Sequence, residues 1–199
     1  MGPDRTIPKS YVVRRRADLF QNRQGNIIVL CIWLLLLLIM GIAGVRALCG
    51  EHAPTAYLTM SRLSYIGWAF ALAALLAGNR CLHVWLHGLL IRRFTGKDAG
   101  YGFERAFVYA RAEEYMTRRQ FLAERLLPCL IQTLILAVLV LTLSDVWSPA
   151  AYITLAFHLA GCSEDYYFAY QAFAAPAGSL LEEGGLRVTV YGPASELPQ

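Results

Sequence analysis

Four long stretches of this chain contain almost no charged residues, and no other feature restricts its fold as strongly. They are residues 27–45, 63–91, 126–144 and 146–181, and the charged side chains within them are Arg80, Glu164 and Asp165. A helix needs about 20 apolar residues to cross the hydrocarbon core of a bilayer. The four stretches therefore predict four transmembrane helices. The second and fourth exceed one span and are expected to tilt or to leave the membrane early.

The overall composition also favours a membrane protein. Of the 199 residues, 57% are hydrophobic and 16% are charged, whereas soluble domains have about 25% charged residues. This composition excludes a disordered chain, and a net charge of +4 gives no indication of nucleic-acid binding. The first apolar stretch is longer than a signal-peptide core and lacks a following A-x-A site, so we expect it to remain as an anchor.

The basic residues alternate between the predicted connections. The N-terminal arm has six and the 92–125 segment has eight, whereas the 49–62 loop has one and the 145–150 turn has none. Positively charged loops favour the cytoplasmic side of a membrane. Both termini and the 92–125 segment are therefore expected to be cytoplasmic.

The predicted fold is an all-α membrane protein with four transmembrane helices, a cytoplasmic amphipathic, aromatic loop and a short C-terminal strand. A cytoplasmic arm (1–26) precedes the membrane domain (27–181), and a cytoplasmic tail (182–199) follows it. The helices are expected at about 27–48, 63–92, 124–144 and 148–175, with the loop at 93–123. Alternating residues at 186–191, bounded by glycine and proline, predict the strand.

The cysteines do not suggest a disulfide framework. Their number is odd, no C-x-x-C motif occurs, and four of the five lie in apolar stretches. Free cysteine that is buried like a small apolar side chain is therefore the expectation. The five residues are Cys31, Cys49, Cys81, Cys129 and Cys162.

Several ionisable residues lie inside the apolar stretches. The second stretch contains Arg80, His83 and His87, and the fourth contains His158, Glu164 and Asp165. An ionisable residue within a span costs about 2.5–3.5 kcal/mol on insertion scales, so such residues indicate functional sites. A rise of about 1.5 Å per residue places both groups in the cytoplasmic half of the bilayer.

The two groups also present matching helix faces. His83 and His87 are four residues apart and share one side of a helix. His158, Cys162 and Asp165 share a side of the fourth predicted helix. Two imidazoles and a carboxylate, with a fourth position open, form the donor set of a catalytic zinc site. Cys162 is a weaker candidate ligand.

Three segments have the order and composition of a known family. The first is His83-Val84-Trp85-Leu86-His87, the second runs from Tyr109-Ala110 through Arg119-Gln120-Phe121 to Pro128, and the third runs from His158 through Gly161-Cys162-Ser163-Glu164-Asp165. Together they resemble the putative zincin peptidase family of small bacterial membrane proteins, which is similar to the site-2 proteases. The resemblance covers about residues 60–192 and most of the chain.

The resemblance implies roles for individual residues and a bacterial inner-membrane location. His83, His87 and Asp165 would be the zinc ligands. His158 stands where the family often has asparagine. It would support the ligands without binding the metal, as would Cys162 and Arg80. Val84 occupies the position of the general-base glutamate of His-Glu-x-x-His. Because valine cannot accept a proton, this substitution predicts impaired catalysis.

These observations favour a zinc-binding membrane protein with impaired catalysis that acts as a scaffold or regulator of a transmembrane protein or peptide. The expected partners are this protein or peptide and the lipid bilayer. No nucleic-acid partner is expected.

Four alternatives remain. An active intramembrane metallopeptidase would need another base, for which Glu164 is the candidate. A haem protein could use His87 and His158 as axial ligands, and a transporter could use the polar residues as a lining. In a structural four-helix protein, the polar residues would fix helix packing, with Arg80 paired to Glu164 or Asp165.

Overall fold

The computed structural model describes residues 7–19, 21–48, 60–104, 107–112 and 114–194. Its helices are α1 (Arg23–Leu48), α2 (Arg62–Thr95), α3 (Arg118–Thr142), α4 (Ser148–Gly161) and α5 (Ser163–Phe173). Its strands are β1 (Tyr11–Asp18), β2 (Gly100–Glu104), β3 (Phe107–Arg111), β4 (Met116–Thr117), β5 (Leu180–Glu183) and β6 (Arg187–Pro193). Cys49 and most of the predicted 49–62 loop lie outside the described residues.

Among the residues that the structure describes, three helices are long and apolar enough to cross a membrane. They are α1, α2 and α3, and the apolar part of α1 has the highest mean hydropathy, 3.0. These helices contain most of the first three predicted spans, with ends that differ by a few residues. Their length and composition support association with a membrane.

The predicted fourth span at 148–175 is not confirmed, because two shorter helices occupy this stretch. α4 has 14 residues and α5 has 11, whereas a span needs about 20. The helix breaks at Cys162, whose φ of −81° and ψ of 3° depart from helical geometry. Gly161 disfavours continuation of α4, while acidic residues in the first turn of α5 stabilise a new helix N-terminus.

The described residues within 1–29, 83–128 and 164–199 form the first of two compact units. This unit contains an antiparallel sheet in the order β1-β6-β5-β4. The predicted C-terminal strand is therefore confirmed as β6, and the structure is mostly helical, but it also has strands that the all-α prediction omitted. β1, which lies in the predicted N-terminal arm, pairs with β6, and the register shifts between Val13 and Arg15.

The sheet and three helices, α2, α3 and α5, enclose the apolar core of this unit. Leu181 and Val188 of the sheet are fully buried, as are Phe121 of α3 and Phe168 of α5. Large side chains of this kind each contribute about 1.5–3 kcal/mol when they leave water. The core therefore holds α3 and α5 firmly against the sheet.

The predicted amphipathic, aromatic loop at 93–123 contains a β-hairpin. β2 and β3 pair as a separate antiparallel sheet, with Gly102 opposite Tyr109. The hydroxyl of Tyr101 lies so close to Gly88 of α2 that a Cβ at position 88 would collide with it. Glycine at this position therefore lets the hairpin approach the turn of α2 that contains His87.

The described residues within 30–82 and 129–163 form the second unit, which consists of helices. Polar side chains connect these helices. Gln132 donates a hydrogen bond of 2.9 Å to the backbone carbonyl of Asn79, and the Trp68 indole donates one of 3.0 Å to the carbonyl of Val146. Bonds between membrane helices stabilise their association by about 0.6 kcal/mol on average.

Cys129 and Cys162 form a disulfide within the second unit. The expectation of free, buried cysteine was therefore wrong for these two residues. They lie 33 residues apart, and the packing of their helices brings their Cα atoms to 6.4 Å, inside the usual range of about 4.4–6.8 Å. Spacing in the sequence gives no indication of such a pairing. Cys31 and Cys81 are free as expected, but they are exposed rather than buried.

Candidate metal centre

Ionisable side chains from four elements lie together in the interior of the first unit. We call this group the histidine–carboxylate cluster. Its members are His83 and His87 of α2, Glu124 and Arg125 of α3, Asp165 of α5 and Glu183 of β5. None of them is more than 5% exposed. Charged groups so far from water need close compensation from one another or from a bound ion.

Potential metal-binding atoms of three residues meet at one point of the cluster. His83 Nε2 lies 3.1 Å from Asp165 Oδ2 and 3.0 Å from His87 Nε2. His87 Nε2 lies 3.5 Å from Asp165 Oδ1. The i, i+4 spacing places both imidazoles on one side of α2, and the first turn of α5 places the carboxylate opposite them. His83 and Asp165 belong to a group of side chains that could hold a metal ion, and His87 Nε2 lies close enough to both to be a third donor.

These distances fit a tetrahedral zinc ion. Zinc binds imidazole nitrogen and carboxylate oxygen at about 2.0–2.2 Å, and tetrahedral ligands at that distance lie about 3.3 Å from one another. The observed separations of 3.0, 3.1 and 3.5 Å bracket this value. Two ring nitrogens at 3.0 Å would also repel one another unless a proton or a cation lay between them. The donor set therefore fits zinc in both type and spacing.

Two consecutive residues of α3 contact the predicted ligands. Glu124 Oε1 is hydrogen-bonded to His87 Nδ1, on the other side of the ring from Nε2. Arg125 Nη1 donates to Asp165 Oδ1 at 3.0 Å, and its guanidinium also pairs with Glu183. The Phe121 and Phe168 rings lie 5.3 and 5.1 Å from the Arg125 guanidinium carbon. Arg125 is thus held on all sides by charges and aromatic rings.

The cluster contains more acidic than basic groups. When ionised, Glu124, Asp165 and Glu183 have three negative charges, and Arg125 supplies one positive charge. With neutral imidazoles the sum is −2, which a divalent cation would balance. Burial raises the pKa of Glu183 well above its usual value, and nearby Glu124 adds to this effect while Arg125 opposes it. Burial has the largest effect, because removal from water disfavours the ionised form of a carboxyl group.

Val84 does not take part in this polar network. Its side chain is 4% exposed and belongs to the apolar core of the first unit. A carboxylate at this position would adjoin His83 in the sequence, as in His-Glu-x-x-His. Valine instead contributes packing and no proton-accepting atom.

The remaining predicted site residues have other surroundings. In the second unit, His158 Nε2 lies 3.2 Å from the Cys129 carbonyl, and its Nδ1 lies 3.4 Å from the Asn79 amide. Cys162 is in a disulfide, so its sulfur is not a thiolate ligand. Arg80 is half-buried on α2, and the guanidinium paired with Asp165 is that of Arg125. Glu164 is 9% exposed in the first turn of α5.

The sequence did not indicate three members of the cluster as site residues, namely Glu124, Arg125 and Glu183. The first two stand at the start of the third apolar stretch, and Glu183 lies in the predicted tail beside another glutamate. Charged residues at such borders are usually solvated, so their position does not indicate a functional site. The one available signal was the adjacent pair of opposite charges immediately before residues 126–144.

Comparison with known proteins agrees with this geometry. The family model described as putative zincin peptidase matches residues 76–180. This range includes five members of the histidine–carboxylate cluster, namely His83, His87, Glu124, Arg125 and Asp165. No curated protein and no solved structure matches the chain. Because the family match covers more than half of the 199 residues and confirms the resemblance seen in the motifs, the chain belongs to the putative zincin peptidase family.

Proposed function

We propose that this chain is a membrane-embedded, zinc-binding relative of the zincin peptidases with impaired hydrolysis, acting as a scaffold or regulator. Its partner would be a transmembrane protein or peptide. The meeting of His83, His87 and Asp165 in one buried cluster supports this proposal more than any other observation. We further propose a bacterial inner-membrane location with both termini in the cytoplasm, on the basis of the alternating basic residues.

Zinc binding follows from the donor set and the charge of the cluster. His83, His87 and Asp165 would hold the ion and leave one position open. When bound, zinc acts as a Lewis acid that polarises a carbonyl group. The surplus of negative charge around Arg125 supports a divalent cation over a neutral polar network. Pairing Asp165 with Arg125 would keep that carboxylate ionised and able to bind.

Impaired hydrolysis follows from Val84. In a zincin, the glutamate after the first histidine accepts a proton during attack on the peptide and returns it to the leaving group. Loss of such a base typically lowers the rate by about 10²–10⁴-fold. Glu124 is poorly placed to replace it, because its carboxylate contacts Nδ1 of His87 rather than the Nε2 side. Glu183 is engaged by Arg125.

An active enzyme would therefore rely on Glu164. Because the helix breaks at Cys162, Glu164 and its neighbour Asp165 both lie in the first turn of α5. Successive helix residues point about 100° apart, so the two carboxylates face different directions. A haem site receives less support, because Nδ1 of His87 faces Glu124 and its Nε2 faces His83.

The zinc content of the wild-type protein tests the proposal directly. Protein purified in detergent without a chelator is expected to contain about one zinc ion per chain and to leave transmembrane peptides intact. Elemental analysis and a cleavage assay measure both properties. Absence of metal, under conditions in which a family member with an intact His-Glu-x-x-His retains it, would favour a purely structural role. Cleavage by the wild-type protein would contradict the loss of catalysis.

Val84→Glu tests the role of the missing base. If the rest of the active site persists, this variant is expected to cleave a membrane peptide about 10²–10⁴-fold faster than the wild type, because it restores a proton acceptor beside His83. Val84→Gln is the matched control, since it has the same size and polarity without a carboxylate. A zinc-loaded Val84→Glu protein that is no faster than Val84→Gln would show that more than the base has been lost.

A further inference from the structure

His87 has a partner on each side of its ring. Its Nε2 faces His83 and Asp165, at 3.0 and 3.5 Å. Its Nδ1 is hydrogen-bonded to Glu124 Oε1. An imidazole binds a metal only through a nitrogen that has no proton, so the position of the His87 proton decides whether Nε2 is available.

Glu124 is fixed in its position from two directions. Its side chain is fully buried. One carboxylate oxygen contacts His87, and Oε2 lies 3.2 Å from Arg125 Nε. Arg125 is held in turn by Asp165, Glu183 and the rings of Phe121 and Phe168. Glu124 therefore has little freedom to turn away from His87.

We propose that Glu124 is a positioning residue that keeps the proton of His87 on Nδ1 and so leaves the Nε2 lone pair for a metal ion. An ionised carboxylate can only accept a hydrogen bond, so the nitrogen that contacts it must be the donor. The same contact fixes the plane of the ring and makes the opposite nitrogen more basic. This inference rests on the proposed zinc site for its purpose, but the position of the proton is a property of the chain alone.

The position of the proton is measurable without any metal. We would label the four histidines with ¹⁵N, assign the signal of His87 by its loss in His87→Gln, and record the spectrum of the metal-free protein. The wild type is expected to show His87 protonated on Nδ1. Glu124→Met has a similar volume without an acceptor, and a shift of the proton toward Nε2 is expected in this variant. Glu124→Asp retains a carboxylate and is expected to keep more of the wild-type signal.

Metal affinity is the second measurement. Titration with zinc against a chromophoric chelator is expected to show about 10–100-fold weaker binding for Glu124→Met than for the wild type, the usual effect of losing such a hydrogen bond. Glu124→Asp should lie between the two. Glu182→Met is the matched control, because Glu182 on β5 accepts a hydrogen bond from Tyr191 rather than from a histidine. Its zinc affinity and its His87 signal should remain those of the wild type.

The two measurements separate the possible failures. Wild-type His87 protonated on Nε2, or a Glu124→Met protein with unchanged proton position and affinity, would overturn the role of Glu124 while leaving a zinc site intact. A wild-type protein that binds no zinc would overturn the proposed function, and the ¹⁵N signal would then decide the role of Glu124 alone. If Glu124→Met does not fold, the wild-type spectrum and Glu124→Asp still provide this decision.

Discussion

Replacing His83 and Asp165 together by alanine is expected to reduce bound zinc from about one ion per chain to the background level, because a catalytic-type site has only three protein ligands. The imidazole of His87 would remain as the one ligand of this set. One nitrogen is not expected to retain zinc through purification, whereas three protein ligands are. Elemental analysis of the variant and the wild type, purified side by side, measures the effect.

His158→Ala is the control for this experiment. It also removes a histidine, but His158 lies in the second unit, where its ring contacts the Cys129 carbonyl and the Asn79 amide. We expect it to retain its zinc. Full zinc content in the double variant would contradict the assignment of His83 and Asp165 as ligands. Loss of zinc from a folded His158→Ala protein would make His158 part of the coordination.

The limits of sequence analysis in the membrane region have a physical cause. Hydropathy predicted α1, α2 and α3, because a segment that crosses a bilayer must satisfy its backbone hydrogen bonds internally, as a helix does. It did not predict the break at Cys162, since the long apolar segments on both sides of it make residues 148–175 resemble one continuous span. The signals that favour a break were local, namely Gly161 and the acidic start of α5.

The strands were harder to predict for a different reason. β6 has the alternation expected of a strand, and its prediction is confirmed. β1 has three arginines in succession and no such alternation, and it is paired with a strand at the other end of the chain. Pairing between distant segments depends on the tertiary structure, which local patterns do not reveal.

Local sequence patterns suggested the predicted ligands but not the buried residues that surround them. His83, His87 and Asp165 were suggested by spacing and by the cost of polar groups in a membrane, and the structure brings them together. Glu124, Arg125 and Glu183 have no motif spacing, and their burial results from the packing of α3 against the sheet and α5. A buried network of this kind is visible only in three dimensions. The sequence therefore indicated the three candidate ligands but not the buried charged residues that contact them.

The largest effect on stability is expected from Arg125→Met. Removing one partner of a buried ion pair typically costs about 3–5 kcal/mol, because the other partner is left as an uncompensated charge. Arg125 is the guanidinium that faces Glu124, Asp165 and Glu183 at once. For a chain of this size, 1 kcal/mol corresponds to about 2–4 °C in Tm. Thermal unfolding of the metal-free protein in detergent should therefore show a decrease of about 6–20 °C.

Arg187→Met provides the matched control. Arg187 also pairs with a carboxylate, that of Asp18 at 2.8 Å, but its side chain is 57% exposed. Exposed pairs contribute at most about 1 kcal/mol, so a small change in Tm is expected. Adding Glu183→Gln to Arg125→Met should recover part of the loss, because it removes one of the carboxylates left without a partner. Similar Tm values for the two arginine variants would contradict the role of Arg125.

The decrease in Tm caused by Arg125→Met is expected to depend on zinc. Such a dependence would link the ion pairs of Arg125 to the proposed metal centre. Arg125 and a divalent cation neutralise the same three carboxylates, so each should become more important when the other is absent. A ligand that binds only the folded state stabilises it according to its affinity and concentration. Removing zinc with a chelator should therefore lower the Tm of Arg125→Met by more than it lowers that of the wild type. Equal decreases would mean that the cation, if bound, does not share these carboxylates with Arg125.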